Sequence, residues 1–138
     1  MPVFEFDLPT YKKCTFVNIT SQVREAVKKS GVADGVAAVY CPHTTAGITI
    51  NENADPDVTA DILSALDKMV PGMDFKHIEG NSPAHIKTLL TGSGVNVPVE
   101  GGNLALGRWQ GIYFCEYDGP RDRKFVVQVL GETAPPQR

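Results

Sequence analysis

The 138-residue sequence contains no uninterrupted apolar run approaching the ~20 residues that a membrane-spanning helix needs. Its three cysteines, Cys14, Cys41 and Cys115, lie far apart and form no C-x-x-C pair, which argues against a disulfide framework or a four-cysteine zinc knot. Reduced, mostly buried thiols are expected. Positive charge is also scarce: 13 Lys and Arg stand against 16 Asp and Glu, for a formal net charge of -3. Nucleic-acid binding needs the opposite, a basic stripe, so no nucleic-acid partner is expected. The opening Met-Pro-Val-Phe-Glu-Phe-Asp lacks the basic-then-apolar layout of a signal peptide, and the expectation is a soluble, cytoplasmic protein with no membrane partner. The chain is too short for a (β/α)₈ barrel, which takes about 200 residues or more. The glycines of Thr91-Gly-Ser-Gly94 neither precede Lys-Ser or Lys-Thr nor open a G-x-G-x-x-G unit, so they are weak evidence for nucleotide binding.

What remains is an ordinary globular composition, 42% hydrophobic and 21% charged, which predicts one domain over residues 1–138 with a loose tail at 133–138. Val3 to Leu8 and Cys14 to Ile19 read as strands opening the fold as a hairpin or meander. Thr20 or Ser21 can cap a helix that presents Val23, Ala26 and Val27 on one face and ends at Gly31. Gly35 to Cys41 and the Ile48/Ile50 alternation predict two further strands. Asp55-Pro56 starts a helix whose apolar face is Val58, Ile62, Ala65, Leu66 and Met69. Ser82-Pro83 starts a shorter one, with Ile86, Leu89 and Leu90 facing inward. Val95/Val97/Val99, Leu104 to Tyr117 and Phe125 to Leu130 supply strand material around a Gly101-Gly102 turn. The fold class expected is α+β: an antiparallel β sandwich or barrel-like core with two or three peripheral helices.

The three histidines all fall in polar, turn-rich stretches: Pro42-His43-Thr-Thr45, Lys76-His77-Ile-Glu79-Gly-Asn81 and Pro83-Ala-His85. Imidazole is the commonest metal ligand, and three protein ligands with one open position make a catalytic zinc site, so His43, His77 and His85 are candidate metal ligands. No H-E-x-x-H spacing links them, and each could instead hydrogen-bond a loop. Glu52, in Asn51-Glu-Asn-Ala-Asp-Pro56, is a candidate general base, and Glu79 a candidate acid, base or ligand whose alternative is a solvated loop charge. Asp55 and Asp57 are better explained by the helix start. For an anion, Gly80-Asn81-Ser82 with Lys87, and Arg121 with Arg123 around a turn, offer backbone donors and planar guanidinium forks. The sole tryptophan, Trp109, can support a ligand ring or simply fill the sandwich or an interface. No serine, threonine or cysteine has a recognisable activating partner in the sequence.

Taken in order, His43-Thr-Thr45, Ile50-Asn-Glu-Asn-Ala-Asp-Pro56, His77 with Glu79-Gly-Asn81, Pro83-Ala-His85-Ile-Lys87, Gly107 with Trp109-Gln110, and Asp118-Gly-Pro-Arg121 with Arg123 resemble the YjbQ-like family from Thr15 to Glu132. The resemblance implies a β-sandwich protein that assembles as a homotrimer and groups its histidines near a divalent metal, zinc or magnesium. It also implies an enzyme of the secondary thiamin-phosphate synthase type, joining hydroxymethylpyrimidine pyrophosphate to thiazole phosphate. His85, Glu52 and Glu79 would then be catalytic, and Asn51, Asn81, Lys87, Trp109, Arg121 and Arg123 would bind the phosphorylated small-molecule substrates. The sequence departs from many relatives at Gly80-Asn-Ser-Pro83, where they carry a longer acidic insert, and at Gly107-Arg-Trp109, where they have Gly-Thr-Trp. Those departures bear on substrate preference. A metal-dependent phosphate-ester hydrolase and a non-enzymatic binder of a phosphorylated small molecule use the same residues and stand as alternatives.

Overall fold

Alternating β-branched stretches become strands, and the Pro and Gly punctuation becomes helix ends. In the computed structural model, which describes residues 3–133, the elements run β1 (Val3–Pro9), β2 (Thr15–Asn18), α1 (Thr20–Ser30), β3 (Val32–Tyr40), β4 (Ala46–Glu52) and α2 (Pro56–Met69). They continue with α3 (Ser82–Thr91), β5 (Gly94–Glu100), β6 (Asn103–Leu104), β7 (Gln110–Glu116) and β8 (Asp122–Thr133). The strands form a five-stranded sheet, β1-β8-β3-β5-β6, and a three-stranded sheet, β2-β7-β4, paired antiparallel. Ile19, Val39, Ile48, Ile112, Phe114, Phe125 and Val127 fill the space between them, and α1 adds Val23, Ala26 and Val27. This is an α+β fold of antiparallel sheets with three helices, in line with the expected sandwich or barrel-like core and two or three helices. Of the expected tail, Thr133 closes β8, and the rest lies outside the described residues.

The opening hairpin is not formed. β1 pairs with β8 and β2 with β7, so the first two strands belong to different sheets. Long-range packing decides this: Phe6 stacks on Phe125 with centroids 5.0 Å apart, and the chain crosses between sheets after Pro9. Neither Thr20 nor Ser21 caps α1. Asn18 Oδ1 accepts from Thr20 N at 3.0 Å and from the Thr20 hydroxyl at 2.6 Å, while that hydroxyl accepts from Ile112 N on β7. Asp55 caps α2 as predicted, accepting from Asp57 N at 2.9 Å.

The two later helices are rotated relative to expectation. On α2, Leu63 and Leu66 pack against a small second cluster of Ala84, Tyr113, Cys115 and Tyr117, whereas Met69 is 67% exposed. On α3, Ala84 and Lys87 are buried, while Leu89 is 80% and Leu90 53% exposed. The inward face of α3 is polar because its hydroxyls are satisfied locally: Thr88 donates to the Ala84 carbonyl and Thr91 to the Lys87 carbonyl, and Thr91 meets Tyr117 Oη at 2.5 Å. An apolar-stripe reading misassigns such a helix. Likewise the strand expected over Leu104 to Tyr117 breaks into β6 and β7 around a turn in which Gln110 N bonds the Gly107 carbonyl.

Candidate functional site

The mouth of the sandwich is organised by a buried charge pair. β7 runs apolar from Gly111 to Cys115 and then buries Glu116, while Arg123 enters from β8 and is 5% exposed. Arg123 Nε donates to Glu116 Oε1 at 2.8 Å, and its Nη2 donates to Glu116 Oε2 and to Thr45 Oγ1. Thr10 donates to the same carboxylate at 2.6 Å, and Asp118 N at 3.0 Å. Burial works to raise the Glu116 pKa, but the Arg123 and Thr10 hydrogen bonds outweigh it and hold the carboxyl below its ordinary value. Full satisfaction is what makes such a pair tolerable in a core.

Above this pair lies a cleft of about 460 Å³. His43, from the β3–β4 connection, His77, Glu79 and Asn81, from the α2–α3 connection, His85 on α3, and Arg121 and Arg123 all line it. Asn81 Nδ2 donates to Asp118 Oδ2 at 2.9 Å, and Arg121 donates to the same carboxylate oxygen at 2.9 Å through Nη2 and to the Asp118 carbonyl through Nε. Burial of Asp118 pushes its pKa up, but Asn81 and Arg121 prevail and lower it. The His77 and His85 rings lie edge to face, centroids 5.5 Å apart, and His77 Nε2 is 3.9 Å from Glu79 Oε1. His43 Nε2 accepts from Lys124 N at 2.9 Å. Burial, then the Arg123 charge, lower the His43 pKa, so the ring is neutral at neutral pH and carries its proton on Nδ1.

The remaining sequence candidates lie elsewhere. Lys87 faces away from this cleft and pairs with Asp67 Oδ1 at 3.0 Å beside a separate cavity. Asn51 and Glu52 end β4 on the opposite rim, roughly 20–24 Å from Thr45 at about 3.4 Å per strand residue. There the Asn51 side chain caps Glu52 N, Tyr113 Oη donates to the Glu52 carbonyl, and Trp109 is 55% exposed with Arg108 4.9 Å over its ring. Asn51, Glu52 and Trp109 therefore do not face the histidines within one chain. Sequence reading missed Thr45, Glu116 and Asp118 as supports of the cleft. The available signal was a lone acid closing the apolar run Ile112-Tyr-Phe-Cys-Glu116, with an arginine across the following turn.

Three imidazoles thus share one cleft with a carboxylate and two guanidiniums. The chain belongs to the UPF0047 family. The family model described as UPF0047 protein YjbQ-like matches residues 4–132. A UPF0047 protein of Methanocaldococcus jannaschii is 47% identical over 131 residues, covering 94% of this chain and 95% of that one. The YugU protein of Bacillus subtilis is 48% identical over 127 residues, covering 90% and 96%. Among solved structures, a family member from Clostridium acetobutylicum superposes with a TM-score of 0.91 at 59% identity, covering 92% of this chain and 99% of that one. A hypothetical protein of Aeropyrum pernix gives 0.91 at 36% identity, covering 96% and 100%.

Among the described residues, no three His, Cys, Asp or Glu side chains stand together as a metal-holding set. His43 is the member that departs, since Lys124 N–H occupies its Nε2 lone pair. His77 and His85, with ring centroids 5.5 Å apart, are the two neighbouring imidazoles whose chemistry suits a divalent ion. All three cysteines are free, and burial pushes the Cys115 pKa up to about 12. No helix among the described residues is long and apolar enough to cross a membrane.

Proposed function

We propose that the protein is a thiamin-phosphate synthase-like transferase whose reaction centre is the His43/His85/Arg121 cleft. The observation that carries this reading is the convergence of cationic and imidazole donors on one open cleft, the surface a departing pyrophosphate requires. In the reaction a thiazole nitrogen attacks the methylene carbon of hydroxymethylpyrimidine pyrophosphate. The new C–N bond forms as the C–O bond breaks, and the electron pair leaves with pyrophosphate.

The chain's own groups match that redistribution of charge. Arg121 is aimed by Asp118, and Arg123 by Glu116 and Thr45, so both guanidiniums are oriented before the anion arrives. Neutral His43 offers its Nδ1 hydrogen to an anionic oxygen, and His85 donates to the leaving group. Glu79 Oε1, 3.9 Å from His77 Nε2, adds negative charge beside that ring. His77 and His85 would contribute to holding a divalent metal, zinc or magnesium, which would supply Lewis-acid charge to the phosphates.

The test is mass-spectrometric detection of thiamin phosphate from the two phosphorylated precursors with defined metals, wild type beside His85→Ala. Product lost in the variant supports the reading. No product from folded, metal-supplemented wild type removes it. The His77–Glu79 pair favours a second reading, a metal-dependent phosphate-ester hydrolase, which turnover of a phosphomonoester without a thiazole acceptor would reveal. We carry a cytoplasmic homotrimer as part of this proposal. Exposed Leu89, Leu90 and Met69 are apolar surface that self-association would cover, and light scattering measures the mass.

A further inference from the structure

In the connection between α2 and α3, residues 71–80 are fastened at their two ends. At one end Val70 is buried, and its N–H bonds the Leu66 carbonyl at 2.9 Å. At the other, Asn81 Nδ2 donates to Asp118 Oδ2 between β7 and β8. Every residue from 71 to 80 except Phe75 is exposed. Among the described residues, one backbone hydrogen bond of good geometry lies within the segment, from Phe75 N to the Met73 carbonyl at 3.0 Å. A stretch with so few buried contacts and bonds is easily displaced. Gly80, at φ +79°, supplies a bend that few other residues adopt.

The segment carries two residues of the cleft, His77 and Glu79, and between them Ile78, which is 98% exposed. An apolar landing lies close by. His77 meets His85 edge to face, and Leu89, 80% exposed, stands one turn of α3 beyond His85 on the same helix face. Pro42 and Leu89 line the recess that adjoins the cleft along His43 and His85. A shift of about one helical turn, ~5.4 Å, along α3 carries Ile78 from the neighbourhood of His85 to Leu89.

Charge supplies the trigger. Lys76 and His77 are donors for an anion held by Arg121 and His85, and so are the N–H groups of Ile78 and Glu79, which have no backbone partner among the described residues. Glu79, its side chain 76% exposed, is free to stay in water. A ligand shifts such an equilibrium by the difference in its affinity for the two states, and these donors make that difference.

We infer that residues 71–80 form a strap that closes over the histidine cleft when an anion occupies it, laying Ile78 on Leu89 and Pro42 and shutting water out. The inference rests on the cleft being the anion site of the proposed function, and not on which substrate carries the anion. Excluding water strengthens the hold of the guanidiniums on a phosphate, and strap opening becomes a step in product release.

Hydrogen exchange of the full chain, with and without saturating pyrophosphate, tests it beside calorimetry with the same probe. In the free protein, amides 72–80 should exchange nearly as fast as in an unstructured peptide. Pyrophosphate should slow those of 76–80 by roughly tenfold or more and leave Val23 to Val27 in α1 unchanged. Ile78→Ala, at an exposed position outside the core, should still bind pyrophosphate, weaker by roughly fivefold on the scale of the apolar area lost, and should lose most of the protection. Slow exchange of 72–80 without pyrophosphate would overturn the inference, because the segment would already be covered, by the chain or by a second copy. Full protection in Ile78→Ala would overturn it too, leaving the anion contacts alone as the cause. Pyrophosphate bound with unchanged exchange at 76–80 overturns the strap and spares the cleft, whereas no binding at all overturns both.

Discussion

The two rims of the β4–β7 pair make opposite use of polar residues. At the rim holding Thr45 and Glu116, the side chains are tied into a shared network that reaches from Thr10 through Glu116 and Arg123 to Thr45, with Asp118 joined through its backbone. At the rim holding Glu52, the Asn51 side chain serves a neighbouring backbone amide, Tyr113 bonds a backbone carbonyl, and Trp109 stands in solvent. Residue types that look equally functional in a sequence thus differ in how firmly the fold aims them. Preorganised donors are what charge-handling chemistry needs, which is why the cleft carries the functional reading and the opposite rim does not.

The largest effect that would break this contrast is on stability. Glu116→Ala strands Arg123 in the core and should cost about 3–5 kcal/mol, whereas Glu52→Ala should cost roughly 0.5 kcal/mol or less, both read from urea unfolding. Comparable losses at the two sites would erase the distinction. Next is Gly119, where an added Cβ would sit 2.2 Å from the Lys12 carbonyl oxygen. Gly119→Ala should therefore cost about 1–3 kcal/mol by the same assay.

A third effect sharpens the contrast through pH. The folded pKa of His43 is depressed, so the unfolded chain binds its proton more readily. Its contribution is present above the unfolded value near 6.5 and falls away below it. Glu116 and Asp118, also depressed, keep theirs until pH drops through the lower carboxylate range. Unfolding free energies measured between pH 7.5 and 5.5 should fall in the wild type and fall less in His43→Gln. A flat wild-type profile would mean that His43 is not held neutral. The smallest effect expected is at Trp109: Trp109→Ala should move stability by about 1 kcal/mol or less, the scale of an exposed cation–π contact.

How much of this was legible in the sequence follows from which signals are local. Asp55-Pro56 and Gly31 marked helix ends because a cap and a left-handed residue act within one turn. The alternation of Val95, Val97 and Val99 marked β5 because strand periodicity is local too. The opening hairpin misled because pairing of β1 with β8 depends on residues more than a hundred positions away. Leu89 and Leu90 misled because Thr88 and Thr91 satisfy their own hydroxyls and can face inward. His43, His77 and His85, singled out by type and loop context, and Arg121, by its turn, line one cleft. Lys87 and Glu52 have the right chemistry but point elsewhere, a fact of three-dimensional direction that residue type does not carry. Glu116, and the supporting role of Asp118, escaped notice because these carboxylates hold other side chains.

The most direct test of the account is calorimetric titration of pyrophosphate into the wild type, Arg121→Ala, His85→Ala, Glu52→Gln and Trp109→Ala under one salt concentration. The account predicts that Arg121→Ala and His85→Ala each weaken binding by roughly tenfold or more, as loss of a charge-assisted hydrogen bond does. Glu52→Gln and Trp109→Ala should stay within about twofold of the wild type. Binding lost in the Glu52 or Trp109 variant but kept in the Arg121 and His85 variants would contradict it, placing the anion at the opposite rim.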